Sequence, residues 1–244
     1  MVISKKFGLI VVAVIVTVSS LLLISNCLQK SKSGIVIILN GASASGKSTI
    51  QSELQKLFPT PLVGIGLDTF FVNILPQRFV VGPRLPEDID PELVMKGVVD
   101  YDDQGNRLFY LMVGPVGDSI MHGMHHAIAA YAGQGINCVV DYITYKQEWI
   151  PDLCDALQGL TVYFVGVDCP IDVLEQREKA RGRVFVEGHA RSHYTTVHEY
   201  VNNMYDLRVD TGTADAITCA QRIKEFITAH PKPQAFRKIC TIKK

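Results

Sequence analysis

Residues 41–48 limit the possible folds of this chain more than any other stretch. They read Gly-Ala-Ser-Ala-Ser-Gly-Lys-Ser, which matches the Walker A pattern G-x-x-x-x-G-K-S. A short apolar, β-branched run precedes them at 35–40, and apolar side chains at helical spacing follow at 49–57. Strand, glycine loop and helix in this order are the setting in which the pattern folds as a phosphate-binding loop. The sequence therefore predicts an α/β domain built on a parallel sheet.

The loop predicts binding of a nucleotide, with ATP and Mg²⁺ as the expected pair. Its glycines allow the backbone to curl until successive N–H groups face phosphate oxygens, and the helix N-terminus adds its positive end. Lys47 would contact the β- and γ-phosphates, and the Ser48 hydroxyl would bind Mg²⁺. The predicted nucleotide-binding residues are Gly41, Ala42, Ser43, Ala44, Ser45, Gly46, Lys47, Ser48 and Thr49. The alternative is a turn that joins a strand to a helix and binds nothing.

Apolar runs and helical patterns alternate from residue 34 onward, which is typical of a parallel sheet flanked by helices. We expect one P-loop domain over 34–230. Residues 83–103, with several prolines and acidic side chains, are expected to form an irregular surface insertion. Residues 177–205, rich in arginine and histidine, are expected to form a lid. The basic tail 231–244 is expected to be loosely held.

The N-terminal segment 1–33 contains a stretch that is almost entirely apolar. Residues 7–24 are interrupted only by glycine, threonine and serine, and 18 such residues are enough to span a bilayer. A membrane anchor is our preferred interpretation, with the catalytic domain in the cytoplasm, where ATP is available. A lipoprotein signal ending at Cys27, a cleaved secretory peptide and a start placed too far upstream are the alternatives, and the first two would export the domain.

Charge and cysteine content restrict the partners and the compartment. The chain has 24 basic and 24 acidic side chains, so it lacks the positive excess that nucleic-acid binding requires, and we expect no nucleic-acid partner. Its six cysteines include no C-x-x-C pair and no zinc-binding spacing. Several lie in apolar runs, as buried free thiols do, which predicts a reduced domain.

Three aspartates, Asp68, Asp141 and Asp210, lie at or near the ends of predicted strands, where ligands bind in sheets of this kind. Asp141 closes an apolar run and is predicted to hold Mg²⁺ together with Ser48, with a loop-capping role as the alternative. Asp68 follows the strand after the first helix, which places it beside the phosphate loop. There a carboxylate can take the proton from a substrate hydroxyl that attacks the γ-phosphate. An N-cap role is the alternative for Asp68.

Several arginines lie in the expected lid. Arg177 and Arg181 are four positions apart, on one helical face, and guanidinium groups suit the charge of a transferring phosphoryl group. A solvated basic face is the alternative.

Histidines and phenylalanines give weaker signals. Partly buried helix faces explain the histidines better than a metal site does. The phenylalanines fit an apolar substrate pocket and the core equally well. The residues concerned are His122, His125, His126, His189, His193 and His198, and Phe70, Phe71 and Phe79.

Several short motifs, including the phosphate loop, follow one another along residues 34–229. They are 39–48 (LNGASASGKS), 66–69 (GLDT), 113–115 (VGP), 138–141 (CVVD), 165–170 (VGVDCP), 175–178 (EQRE), 180–182 (ARG), 197–198 (VH) and 205–211 (YDLRVDT). In this order they resemble the chloramphenicol phosphotransferase-like family of P-loop kinases. The chain departs from the family pattern at Tyr142, where a second acid is usual, and at Arg183-Val184, where Asp-Arg is usual.

The resemblance implies a fold like that of nucleoside-monophosphate kinases, with a lid. It implies transfer of the γ-phosphate of ATP to a hydroxyl, which in this family belongs to chloramphenicol. By the same resemblance Lys47 and Ser48 contact phosphate and Mg²⁺, and Asp68 is the catalytic base. Arg177 and Arg181 would belong to the lid.

Together these features predict an ATP- and Mg²⁺-dependent O-phosphotransferase that acts on a hydroxyl of a small molecule and is tethered to a membrane through 7–24. The predicted catalytic residues are Lys47, Asp68, Arg177 and Arg181. A nucleoside or nucleotide kinase of similar fold, and a nucleotide-binding switch without catalysis, are the alternatives. The sequence does not predict the oligomeric state.

Overall fold

Five parallel strands in the order β2-β5-β1-β6-β7 form the central sheet of the computed structural model, which describes residues 33–76, 95–182 and 187–242. These strands are β1 (Ile35–Asn40), β2 (Leu62–Gly66), β5 (Asn137–Tyr142), β6 (Thr161–Asp168) and β7 (Leu207–Asp210), and a separate hairpin contains β3 (Met95–Tyr101) and β4 (Arg107–Val113). The helices are α1 (Lys47–Leu57), α2 (Pro115–Gly133), α3 (Trp149–Ala156), α4 (Ile171–Ala180), α5 (His189–Ser192), α6 (Thr196–Glu199), α7 (Ala216–Ala229) and α8 (Ala235–Ile242).

Both faces of the central sheet are covered, which explains the continuous apolar runs of its strands. Residues 36–39 of β1 have no exposed surface. Ile38 belongs to the core on the face covered by α2, α3 and α8, and its neighbour Ile37 to the core on the face covered by α1 and α7. Strands buried on both faces lose the alternation of polar and apolar residues. The predicted parallel sheet flanked by helices is confirmed.

The strand register gathers the carboxyl ends of three strands at one place. Asp141 of β5 lies opposite Leu39 of β1 on one side and opposite Gly66 of β2 on the other. The glycine loop at 41–46 follows β1 directly, and Asp68 follows β2 by two residues. The loop and both predicted carboxylates are therefore brought to the same edge of the sheet.

The expectation of irregular structure between 83 and 103 is wrong for Met95–Tyr101, which form β3 and pair antiparallel with β4. Side chains of Met95, Phe109 and Val113 are buried on one face of this hairpin. At its tip Asp102 accepts hydrogen bonds from the backbone N–H groups of 104 and 106. The polar turn and its acidic neighbours were typical of a loop, so the hairpin was not predicted, although buried and exposed side chains alternate along β4. Residues 83–94 lie outside the described part of the chain.

The expectation of a loosely held C-terminal tail is also wrong. Residues 235–242 form α8, whose Phe236 and Ile239 are buried in the core. Its basic side chains lie on the opposite, exposed face, so the helix is amphipathic. Cys240 of α8 forms a disulfide with Cys154 of α3, and the expectation of free thiols is wrong for this pair.

The predicted membrane segment at 7–24 lies outside the described residues. Within the described ranges, no helix has the length and hydropathy of a membrane span. Of the three phenylalanines, Phe71 is buried in the core and Phe70 packs against it, while Phe79 lies outside the described residues.

Candidate active site

The glycine loop folds as a tight curl between β1 and α1. Gly46 has φ of 89°, and Ala44, although it is not a glycine, has φ of 61°. A Cβ on Gly41 would lie 2.4 Å from the carbonyl oxygen of Val167, so only glycine fits there. Left-handed backbone held in a loop at a helix N-terminus is the conformation that turns N–H groups inward for phosphate.

Lys47 is buried at the base of this loop, with 4% of its side chain exposed. Its Nζ donates a hydrogen bond to the carbonyl oxygen of Ala42 at 2.8 Å and lies 3.6 Å from a carboxylate oxygen of Asp141. Burial lowers the pKa of Lys47, and Arg181 lowers it further, while Asp141 and Asp68 oppose this shift. A phosphate group in the loop would supply the negative charge that a buried ammonium requires.

Ser48 and Asp141, the two predicted Mg²⁺ ligands, are in direct contact. The Ser48 hydroxyl donates a hydrogen bond to Asp141 Oδ2 at 2.5 Å, although 93 positions separate the two residues. Hydroxyl and carboxylate oxygens are the hard donors that Mg²⁺ prefers, so this pair fits the ion. Asp141 contacts Lys47 and Ser48 through its side chain, which is the arrangement expected of a metal-binding carboxylate.

Asp68 lies in the same cleft as Lys47, Ser48 and Asp141. The cleft has a volume of about 410 Å³ and is lined on its other sides by Leu67, Leu111, Ile143, Tyr145, Glu178, Arg181 and His189. Asp68 precedes a single π-helical turn, Thr69–Asn73, but its side chain makes no capping hydrogen bond to that turn. Its carboxylate is exposed to the cleft, and such a position suits a base that must meet a substrate hydroxyl.

The two predicted lid arginines occupy different environments. Arg181 lines the cleft. The guanidinium of Arg177 donates to the carbonyl oxygen of Thr211 at 2.8 Å, to its hydroxyl at 3.0 Å and to the carbonyl oxygen of Ala44 at 3.4 Å. Arg177 thus joins the loop after β7 to the glycine loop and does not line the cleft. In this arrangement Arg181, and not Arg177, is placed to make the predicted contact with the phosphoryl group.

The segment after α4 is held against the glycine loop by residues that the sequence did not single out for this site. Glu178 is buried, and its carboxylate accepts the N–H groups of Gly188 at 3.1 Å and Ala190 at 2.7 Å. Burial raises the pKa of Glu178. Nε2 of His193 accepts the N–H of Ser43 at 3.1 Å. The described part of the expected lid is therefore anchored at both α4 and the glycine loop.

Asn40 is a further residue that sequence reasoning did not assign to this site. It is fully buried at the end of β1, and its amide donates to the carbonyl oxygen of Val197 and to the hydroxyl of Tyr205, both at 2.9 Å. Its Oδ1 accepts the N–H and hydroxyl of Thr144 at 3.2 and 3.0 Å. The sequence did carry a signal for this role, because Asn40 is a polar residue at the end of an otherwise apolar strand, just before the glycine loop.

Of the three histidines of α2 only His125 is buried, and none of the three lines this cleft. His125 is fully buried, with Nδ1 2.5 Å from Asp152 and Nε2 3.0 Å from the hydroxyl of Tyr142. His122 is half exposed and lies 3.8 Å from the same aspartate. Within the described ranges, no group of three or more histidine, cysteine or acidic side chains is arranged to hold a metal ion.

Comparison with known proteins assigns this chain to a family. The model of the chloramphenicol phosphotransferase-like proteins matches residues 34–228. The chain belongs to this family. A protein of Mycobacterium tuberculosis whose name marks it as a candidate O-phosphotransferase is 28% identical over 209 residues, which are 84% of this chain and 88% of the relative. The same match is found in a second strain of that organism. The resemblance inferred from the motifs is confirmed.

Solved kinase structures share the fold of this chloramphenicol phosphotransferase-like protein. The APS kinase of Mycobacterium tuberculosis, solved with AMPPNP and APS, has a TM-score of 0.51 and 14% identity, covering 80% of this chain and 98% of that one. A sugar kinase from Janibacter has a TM-score of 0.53 and 16% identity, covering 82% and 96%. These likenesses show the fold alone, and they confirm the predicted P-loop kinase fold. Family and fold together support phosphotransfer of the kinase type, with use of a nucleotide and Mg²⁺ in general.

Proposed function

We propose that this protein transfers the γ-phosphate of ATP to a hydroxyl group of a small molecule, as the family name suggests for chloramphenicol. The single observation that supports this most is the position of Asp68. It lies in the cleft that contains Lys47, Ser48 and Asp141, and its side chain is not committed to capping. A nucleotide-binding switch would need no carboxylate there.

The chain's own residues divide the chemistry between them. The inward N–H groups of the glycine loop and Lys47 hold the β- and γ-phosphates, and Arg181 faces the charge that develops on the moving phosphoryl group. Ser48 and Asp141 would hold Mg²⁺, which supplies further positive charge at the phosphates. The oxygen of the acceptor hydroxyl bonds to the γ-phosphorus while the bond between that phosphorus and the ADP oxygen breaks. Asp68 accepts the proton that the hydroxyl loses.

A transfer screen on the full chain tests the proposal. Radiolabelled ATP with Mg²⁺ is incubated with chloramphenicol, sugars, nucleosides and nucleoside monophosphates, and labelled products are separated. We expect label on at least one neutral alcohol. Label on a nucleoside monophosphate alone would favour a nucleotide kinase. ATP binding without transfer to any acceptor would favour the switch. Lys47→Ala is the control that should abolish both ATP binding and transfer, and ATP binding that persists in it would contradict the assignment of the loop.

A further inference from the structure

The peptide group that joins Ala42 to Ser43 in the glycine loop is held from both sides. On one side the Ala42 carbonyl oxygen accepts hydrogen bonds from Lys47 Nζ at 2.8 Å and from the N–H of Ser45 at 3.2 Å. On the other side the N–H of Ser43 donates to His193 Nε2 at 3.1 Å. The N–H and C=O of a trans peptide are coplanar and point in opposite directions, so a group that fixes one also fixes the other.

The hydrogens of this contact can be assigned from its partners. A backbone N–H can only donate, so His193 Nε2 holds a lone pair towards Ser43. Burial lowers the pKa of His193 well below its usual value, and the neutral ring then carries its hydrogen on Nδ1. Nδ1 lies 3.3 Å from the hydroxyl oxygen of Ser192, which accepts this hydrogen. The Ser192 hydroxyl in turn lies 2.8 Å from the carbonyl oxygens of Phe109 and His189 and donates to them.

The ring of His193 is fixed behind the wall of the cleft. The residue is 5% exposed, and its ring centroid lies 5.1 Å from that of Tyr145 and 4.7 Å from that of His189. Those two rings line the cleft, whereas His193 does not. His193 therefore reaches the glycine loop from outside the cleft, and any effect that it has on a bound phosphate passes through the Ala42–Ser43 peptide.

The ammonium of Lys47 depends on this peptide for its position. Its hydrogen bond to the Ala42 carbonyl oxygen is 2.8 Å long, while Asp141 lies 3.6 Å away, beyond the usual length of a hydrogen bond. A hydrogen bond to a charged donor is short and directional, so the carbonyl fixes the ammonium more closely than the ion pair does. A change in the direction of the Ala42 carbonyl would therefore move the ammonium relative to phosphates in the loop.

We propose that His193 is a positioning residue that orients the Ala42–Ser43 peptide, so that the Ala42 carbonyl holds the Lys47 ammonium where the β- and γ-phosphates bind. This inference rests on the proposed function for the role of Lys47. It adds a residue that does not touch the nucleotide and that links the segment after α4 to the phosphate contacts.

Two substitutions of His193 test the inference by nucleotide binding to the full chain with Mg²⁺. His193→Leu removes the acceptor of the Ser43 N–H, and His193→Gln retains an oxygen that can accept it. For AMPPNP we expect the dissociation constant to rise about tenfold in His193→Leu and to stay within about threefold of the wild type in His193→Gln. AMP lacks the phosphates that Lys47 is expected to contact, so its dissociation constant should be the same in all three proteins.

His125 provides the matched control. It is a buried histidine of α2 that contacts Asp152 and Tyr142 and does not line the cleft. His125→Leu and His125→Gln therefore report the general effect of such substitutions on the fold. We expect both variants to bind AMPPNP with wild-type affinity. An equal loss in His125→Leu and His193→Leu, an equal loss in both variants of His193, an equal loss for AMP, or no loss at all overturns the inference.

A measurement on the wild type keeps the inference testable if His193→Leu does not fold. In ¹⁵N-labelled protein, NMR detects the scalar coupling that a hydrogen bond transmits between the Ser43 nitrogen and His193 Nε2. Coupling with and without AMPPNP supports the inference, and its absence when AMPPNP is bound overturns it. None of these measurements requires transfer. The expected binding results without transfer to any acceptor would count against the proposed function alone, whereas transfer without them would count against the inference alone.

Discussion

At the scale of single residues, the proposed chemistry depends on a carboxylate that the fold leaves exposed. Asp68 makes no capping hydrogen bond and shares the cleft with Lys47. We predict that Asp68→Asn reduces transfer by about 10²-fold or more, because an amide cannot take the proton. ATP affinity should change little, since the loop and Lys47 are untouched. Steady-state kinetics and nucleotide titration measure the two effects.

Asp172 provides the control for this change. It is exposed in the first turn of α4 and does not line the cleft, so Asp172→Asn should leave transfer and ATP affinity at wild-type values. Turnover that is unchanged in Asp68→Asn would remove Asp68 from the mechanism.

At the scale of elements, the contact between the hairpin and α5 depends on Gly188. Its φ is 85°, and a Cβ there would lie 2.2 Å from the carbonyl oxygen of Arg107 in β4. We predict that Gly188→Ala lowers the free energy of unfolding by about 1–3 kcal/mol and reduces transfer, because strain adds to a backbone clash. Urea unfolding and kinetics measure these losses.

Gly105 separates backbone strain from the clash in that experiment. It has φ of 80° at the tip of the hairpin, and a Cβ there would meet nothing within 4 Å. Gly105→Ala should therefore cost stability through strain alone and leave transfer intact. Equal losses of transfer in the two variants would show that the contact between β4 and α5 does not support the site.

We predict that acid lowers the free energy of unfolding because of two histidines, one in α5 and one in α6. Burial lowers the pKa of His189 and of His198 to about 4, whereas a histidine in the unfolded chain titrates near 6.5. The unfolded chain therefore binds protons first, so stability is full above about pH 6.5 and falls progressively down to about pH 4. Urea unfolding at several pH values measures this fall. In His189→Gln the fall should be smaller, and an equal fall in that variant would exclude His189 as its source.

At the scale of the whole molecule, one disulfide connects parts of the chain that are distant in sequence. Cys154 and Cys240 are separated by 86 positions and join α3 to α8. We predict that replacing both by serine lowers the free energy of unfolding by about 2–4 kcal/mol, since a long loop is no longer closed in the unfolded chain. Urea unfolding without reductant measures this loss. A reductant should destabilise the wild type and leave the double variant unchanged, and equal sensitivity of both would contradict the prediction.

The same disulfide bears on where the protein resides. Disulfides of this kind are typical of oxidising compartments, while the other described cysteines, Cys138, Cys169 and Cys219, are buried free thiols. The cytoplasmic placement stays a prediction, and the state of this pair in cells tests it. Alkylation of thiols in intact cells, followed by mass spectrometry, would show Cys154 and Cys240 protected if the domain is exported, and modified if it is cytoplasmic.

Sequence reasoning reached the elements whose signals are local. The strand before the glycine loop, the loop and α1 follow from a contiguous apolar run, two glycines and helical spacing, and each can be recognised without knowing the rest of the chain. The hairpin was missed because the acidic turn around Asp102 outweighed the alternation of β4. The helix α8 was missed because basic residues concealed the spacing of Phe236 and Ile239.

The sequence by itself determined a phosphate-binding loop, a parallel sheet and a family, because these depend on residues that are neighbours in the chain or on motifs in a fixed order. Only the tertiary structure decided that Ser48 contacts Asp141 and that Arg177 turns away from the cleft. It also decided that the Tyr145 hydroxyl lies within hydrogen-bond distance of His189 Nε2. Such contacts join residues that are 34 to 93 positions apart. They depend on the strand order of the sheet and on the crossings of its helices, which no local pattern records.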